Sequence, residues 1–285
     1  MKLRAPAKIN FGLRVVGRRK DGYHLLDTII LPVSLYDDIQ IQKLAPREVS
    51  RPQIEVTCSD PTVPGGDGNL AYRAAQLLMD RTRTTARVRI HIEKRIPVGA
   101  GLGGGSSDAA TTLRGLNRLL GPRLSTRELK RLALRLGADV PFFVEARPAH
   151  ARGVGERLTY LADLPTLWFV ILYPGFAVST AWVYKKLPLT LTKRAAHTSI
   201  TGFFASSPDY DELLVNDLEP VTSRKYPVIG RLKKDLAREG AVATLMSGSG
   251  SSVFGVFESR RSALEAFGRL TRLEGVRAFL VRNLG

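Results

Sequence analysis

An α+β fold in two domains is the architecture this sequence predicts, on three observations. A half-polar strand, a glycine-rich loop and a helix follow one another over residues 86–120. The second half of the chain interleaves strands and helices as far as Arg282. The length, 285 residues with 44% apolar side chains, suits one large domain or two of medium size with a substantial core.

Taken in order, residues 3–16 read as a strand. Lys8, Asn10 and Gly12 lie on one side of it, and Ile9, Phe11 and Leu13 on the other. Lys8 and Asn10 are thus placed to act together. Residues 18–22 form a turn, since Asp21-Gly22 is a good hairpin signal, and Tyr23 and His24 follow directly. Residues 27–33, 38–42 and 54–57 read as strands. Residues 61–68 form a Pro/Gly/Asp loop. Asn69 can cap a helix reaching about Arg81, with Leu70, Ala74, Leu77 and Leu78 as its apolar stripe.

The strand at residues 86–94 alternates, with Val88, Ile90 and Ile92 on one face. The loop after it is Pro97, Val98, Gly99, Ala100, Gly101, Leu102, Gly103, Gly104, Gly105, Ser106, Ser107. Residues 107–120 then carry Ala110, Leu113, Leu116 and Leu120 at helical spacing. Glycines let backbone amides approach a ligand closely. A helix start adds unpaired N–H groups and positive partial charge. Ser106 and Ser107 add hydroxyls and an expected N-cap. An oligophosphate suits this combination. A Walker A loop is excluded, because Gly-Lys occurs nowhere in the chain. Gly99, Gly101 and Gly104 fit a dinucleotide fingerprint. That reading also needs a buried parallel strand and a later acidic residue closing a second strand, and the sequence offers neither.

Ser125 and Glu128 form a capping box for the next helix, and Gly137 is expected to end it in the left-handed conformation. Asp139 follows that end and precedes an apolar run, so partial burial is expected. Residues 147–157 are polar and Gly-rich. They place a domain boundary at about 155–165, giving domains of 1–158 and 159–285. Beyond it, residues 167–173 form a buried strand. Ser179 or Thr180 starts a helix containing Tyr184, and residues 188–215 mix helix and loop. Residues 226–239 form a helix, and residues 243–247 and 253–257 two strands. Between these strands, Ser247-Gly248-Ser249-Gly250-Ser251-Ser252 reads as a hairpin turn. Residues 262–273 form a helix and 278–282 a strand.

The net charge is +17, spread along the chain as arginine. No basic run is interleaved with aromatics, so specific nucleic-acid binding is not expected. The charge favours anionic ligands. One cysteine, Cys58, excludes a disulfide framework within the chain and a cysteine-built zinc site. With no signal-peptide run near the start and no apolar stretch long enough to span a bilayer, a cytoplasmic protein without membrane partners is expected.

Three separated motifs, in order, resemble the GHMP kinases, the superfamily of galactose, homoserine, mevalonate and phosphomevalonate kinases. They are Ala7-Lys8-Ile9-Asn10-Phe11-Gly12-Leu13, the loop from Pro97 to Ser107, and Ser247-Gly248-Ser249-Gly250. Asp21-Gly22-Tyr23-His24 and the segment from Gly137 to Phe143 resemble the branch that phosphorylates cytidine-diphosphate-linked methylerythritol on its C2 hydroxyl. That resemblance covers residues 2–282. It implies an N-terminal ATP-binding domain like ribosomal protein S5 domain 2 and a C-terminal ferredoxin-like sandwich. It implies ATP with Mg²⁺, and a role in non-mevalonate isoprenoid biosynthesis. The expected partners are small molecules only, in a monomer or weak homodimer. Asp139 would be the catalytic base, Lys8 its partner, and residues Pro97 to Ser107 the ATP loop. Tyr23 and Tyr184 would sandwich the cytosine and His24 would bond its edge. Asn10, Thr180, Ser247, Gly248, Ser249 and Gly250 would contact the substrate. Asp108, beside the phosphates, would face away from them or meet the metal. Ala100 departs from the pattern, where glycine is common.

Overall fold

Alternating and capped segments become strands and helices where local physics favours them. The computed structural model describes residues 1–45, 51–121, 123–188 and 210–285. Most of the stretch expected to mix helix and loop therefore lies outside the described residues. The elements are β1 (Lys2–Arg18), β2 (His24–Lys43), β3 (Gln53–Cys58), α1 (Leu70–Thr82), β4 (Arg87–Glu93), α2 (Gly104–Leu120), α3 (Thr126–Leu134) and α4 (Val140–Glu145). There follow β5 (Ala149–Gly153), β6 (Arg157–Tyr160), β7 (Trp168–Tyr173), α5 (Thr180–Lys186), α6 (Tyr210–Leu213), α7 (Glu219–Lys225) and α8 (Val228–Arg238). The chain closes with β8 (Ala243–Met246), β9 (Val253–Phe257), α9 (Arg260–Leu270) and β10 (Arg277–Arg282).

These elements form two compact units that alternate along the chain. Unit 1 comprises Met1–Ala7, Leu35–Val98 and Gly103–Ala146; unit 2 comprises Lys8–Ser34, Gly99–Leu102 and Arg147–Gly285. In unit 1, β4 pairs antiparallel with the second half of β2 and parallel with β3. Val88, Ile90 and Ile92 are buried there, as their alternation requires. Helix α1 packs on α2 in the same unit. In unit 2, the first half of β2 pairs with β5, and β5 with β6. A second sheet there has the order β10-β7-β9-β8. Its faces carry Val170, Leu172 and Phe257 into a core with Ile229, Leu232 and Ala263 of the covering helices.

Side-chain caps form at the starts of α1, α3, α5 and α9. Asn69 Oδ1 accepts from Ala71 N at 2.8 Å, Ser125 and Glu128 form the expected capping box, and Ser179 caps α5.

Four expectations are corrected. Helix α2 begins at Gly104, and its N-cap is the left-handed Gly103, with no side-chain cap. Ser106 and Ser107 therefore lie inside the first turn; glycine at the cap admits a conformation that serine disfavours. Helix α3 ends through right-handed Arg135, and Gly137 is not left-handed. Residues 27–33 and 38–42 are one strand. Pro32 falls between the stretch of β2 that pairs with β5 and the stretch that pairs with β4, so its missing N–H removes no bond from either ladder. The polar, Gly-rich stretch contains β5 and β6, where Ala149 and Ala151 supply the buried face. Alanine gives a weak strand signal, which hides them in the sequence.

Candidate active site

Strand β1 delivers a buried lysine in unit 2. Lys8 and Asn10 point to the same side, as period two dictates, and are 5% and 3% exposed. Lys8 Nζ donates to Asn10 Oδ1 at 2.5 Å. Asn10 Nδ2 donates to Thr28 Oγ1 at 2.9 Å, and Thr28 Oγ1 donates to Gly12 O at 2.6 Å. Lys8 is held along its backbone by a bond from its N to Leu102 O, 3.0 Å.

The glycine loop and the late Ser-Gly loop meet in the same unit. Ser247 Oγ donates to Gly101 O at 3.0 Å and accepts from Asn10 N at 3.3 Å. Ser252 N donates to Ala100 O at 3.1 Å. Gly101 has φ of 78°, and a Cβ there would stand 2.1 Å from Ser247 O, so only glycine fits. Gly99, Gly101 and Gly103 are left-handed and Ala100 is not, which explains why alanine is accommodated at position 100. Asn216 Nδ2 donates to both Met246 O and Gly248 O at 2.8 Å, fixing the late loop from beneath. Thr180 Oγ1 lies 2.8 Å from Ser249 Oγ.

Tyr184 and His24 stack with ring centroids 5.0 Å apart and an interplanar angle of 24°, whereas Tyr23 is 64% exposed at the turn. Burial first, then Arg18, pushes the His24 pKa below its ordinary 6.5. Its ring is therefore neutral at pH 7, with one donor and one acceptor nitrogen.

In unit 1, the loop continues into the first turn of α2. Ser107 Oγ and Asp108 Oδ1 are buried and have no hydrogen-bond partner among the described residues. Asp108 faces an ionic cluster: Lys94 Nζ donates to Asp108 Oδ2 at 2.9 Å and to Asp37 Oδ2 at 2.5 Å. Asp37 Oδ1 also accepts from Arg95 N and Ile96 N at 2.6 and 2.9 Å, so it is fully satisfied although wholly buried. Burial works against the Lys94 ammonium, but Asp108 and Asp37 together raise its pKa above 10.5. Asp108 is pushed up to about 7 by burial, which outweighs the attraction of Lys94, and by the like charge of Asp37.

That shift fixes a sign. The Asp108 carboxyl titrates near 3.8 unperturbed and at about 7 when folded. Between those values the folded chain keeps a proton that the unfolded chain has released. Its contribution is thus largest below 3.8, declines as pH rises to about 7, and is constant above. Asp108→Asn removes this titration. The difference in Tm between pH 5 and pH 8 should shrink in the variant; an unchanged difference would show that Asp108 does not titrate in this window.

Asp139 is half-buried and stands in unit 1 at the N-cap position of α4, whose Val140, Phe142 and Phe143 are buried. Among the described residues, no group of three His, Cys, Asp or Glu side chains is arranged to hold a metal. No described helix is long and apolar enough to cross a membrane.

The structure adds Thr28, Asn216, Asp37 and Lys94 to the residues the sequence singles out. Each acts across 14 to 59 residues of chain, as with Lys94–Asp108 and Asp37–Ile96. No local pattern signals such pairings.

Comparison with known proteins follows the same outline. Residues 69–147 match the family described as GHMP kinases N terminal domain, and residues 206–274 the GHMP kinases C terminal family. The 4-diphosphocytidyl-2-C-methyl-D-erythritol kinase of Citrifermentans bemidjiense is 48% identical over 284 residues, covering 100% of this chain and 99% of that protein. A crystal structure of 4-(cytidine 5'-diphospho)-2C-methyl-D-erythritol kinase superposes with a TM-score of 0.84 at 38% identity, covering 100% of both chains. Homoserine kinase from Cytophaga hutchinsonii has a TM-score of 0.71 at 18% identity over 100% of this chain and 94% of that one, a likeness of fold.

Proposed function

The chain belongs to the 4-diphosphocytidyl-2-C-methyl-D-erythritol kinase family of the GHMP kinases, and we propose that Asp139 and Lys8 carry its chemistry. The protein is an ATP-dependent kinase that phosphorylates the cytidylyl methylerythritol of isoprenoid biosynthesis. Transfer replaces the bond between the γ-phosphorus and the β,γ-bridging oxygen by a bond to the acceptor oxygen, and ADP leaves. The C2 hydroxyl is a poor nucleophile and must lose its proton. The Asp139 carboxylate takes that proton. The Lys8 ammonium stabilises the negative charge developing on the acceptor oxygen and orients the hydroxyl. The segment from Pro97 to Ser107 supplies backbone amides and the positive end of α2 to the triphosphate.

Mg²⁺ on a nucleotide takes most of its ligands from phosphate and water, and needs only one or two protein oxygens. Ser107 Oγ and Asp108 Oδ1, buried and without hydrogen-bond partners among the described residues, fit that requirement and would hold it. When bound, the ion neutralises phosphate charge.

Tyr23 and Tyr184 take the cytosine between them, His24 bonds its edge, and Asn10, Thr180 and the residues Ser247 to Gly250 contact the rest of the substrate. Stacking on a base is worth about 1–3 kcal/mol. Tyr23→Ala should therefore raise the KM for the cytidylyl substrate about tenfold and leave that for ATP nearly unchanged. Equal changes in both would contradict the stacking role.

The observation that carries this reading is Lys8, a lysine 5% exposed whose ammonium is held on Asn10. Lysine is seldom buried without a defined task. The test is a direct assay of the purified protein with ATP and Mg²⁺, in which the cytidylyl substrate is compared with homoserine and phosphomevalonate. Only the first should be phosphorylated. Comparable turnover of either of the others would overturn the assignment.

A further inference from the structure

We infer that Thr28 is a positioning residue for phosphoryl transfer, acting through the Asn10 amide on the Lys8 ammonium. The inference rests on the role proposed for Lys8. All of the groups are in unit 2, and Thr28 is 2% exposed.

The argument is one of hydrogen-bond direction. An amide presents an oxygen at one end and an NH₂ at the other, and only its partners determine which end faces which way. An ammonium has donors only, so the end of Asn10 facing Lys8 at 2.5 Å must be Oδ1. Thr28 has a single hydroxyl proton. Its shortest acceptor is Gly12 O at 2.6 Å, which leaves a lone pair toward Asn10 at 2.9 Å. That lone pair requires the NH₂ end. The two constraints are independent and agree on one orientation. The result is a directed chain, Lys8 to Asn10 to Thr28 to Gly12 O.

Gly12 completes it. Its φ of 147° is a value that L side chains rarely adopt. The glycine of the N-terminal motif thus permits the backbone conformation that offers its carbonyl to Thr28. Without the Thr28 hydroxyl, the Asn10 NH₂ loses its acceptor and the amide is held from the Lys8 side alone. The ammonium then loses a fixed contact that helps set the place from which it would meet the acceptor alcohol.

The test uses the full chain with ATP, Mg²⁺ and the cytidylyl substrate. Thr28→Val keeps the volume and removes the hydroxyl. It should lower kcat by about 10- to 100-fold, the scale of a misplaced catalytic group, with the KM for ATP within about twofold of the original. Thr28→Ser should restore kcat to within about threefold. In a Lys8→Met background, adding Thr28→Val should change the residual rate by less than about twofold, because Thr28 acts only through Lys8. A full kcat in Thr28→Val, with Lys8→Met inactive, would overturn the inference while leaving the role of Lys8 intact. A loss of the same size in both backgrounds would also overturn it, since Thr28 would then act elsewhere. Wild-type turnover in Lys8→Met would remove the reading on which it rests, and this inference with it. If melting shows that Thr28→Val does not fold, Thr28→Cys takes its place under the same outcomes.

Discussion

Asp139→Asn should lower turnover by about two to three orders of magnitude, the usual scale for removing a general base. Asparagine keeps the shape of the side chain but cannot accept the acceptor's proton. The alcohol would have to attack while still protonated, or lose its proton to water. Nothing in this argument involves ATP binding, so nucleotide affinity should be retained within about twofold while kcat falls. Asp139 stands at the N-cap position of α4 without making a side-chain cap bond there. Its replacement therefore removes no capping bond, and melting of the variant separates a loss of catalysis from a loss of folding. The decisive measurement is a single-turnover rate with saturating ATP and cytidylyl substrate. A rate equal to that of the unmodified protein would take Asp139 out of the mechanism.

Lys94→Met should destabilise the protein by about 3–5 kcal/mol, the cost of leaving buried charge without its counterion. The Lys94 side chain is 5% exposed, and it is shared by two carboxylates that are 0% and 6% exposed. Methionine fills much of the volume but neutralises neither. Asp37 retains two backbone N–H donors, from Arg95 and Ile96. Asp108 has no such support: its Oδ1 has no hydrogen-bond partner among the described residues. It can escape by taking up a proton, and its pKa is already raised to about 7. The penalty should accordingly be greater at pH 8 than at pH 5. Urea unfolding at both pH values measures it. A loss below about 1 kcal/mol at pH 8, set against the expected scale, would show that the cluster contributes little net stability.

Parts of the site were readable before any coordinates. Lys8 and Asn10 share a face because strand side chains alternate, and that holds wherever a strand forms. The glycine loop was recognisable because a left-handed residue announces itself by composition: Gly99, Gly101 and Gly103 all take positive φ. The capping box at Ser125 and Glu128 formed as expected, since both of its bonds lie within four residues. Ser106 and Ser107 looked like caps, but Gly103 took that position and the helix began earlier. Residues 27–33 and 38–42 read as two strands, but they are one, with different partners at its two ends.

Local sequence, then, indicated many of the segments that extend or coil and where a glycine-rich loop turns through left-handed residues, because periodicity, capping and glycine act over a few residues. Tertiary structure alone decided the partners of the buried polar groups. Thr28 reaches Asn10 across 18 residues, Lys94 reaches Asp37 across 57, and Asn216 reaches Met246 across 30. A buried charge or amide must find a partner somewhere, and the sequence states that need. Only the folded backbone determines which group is near enough to meet it.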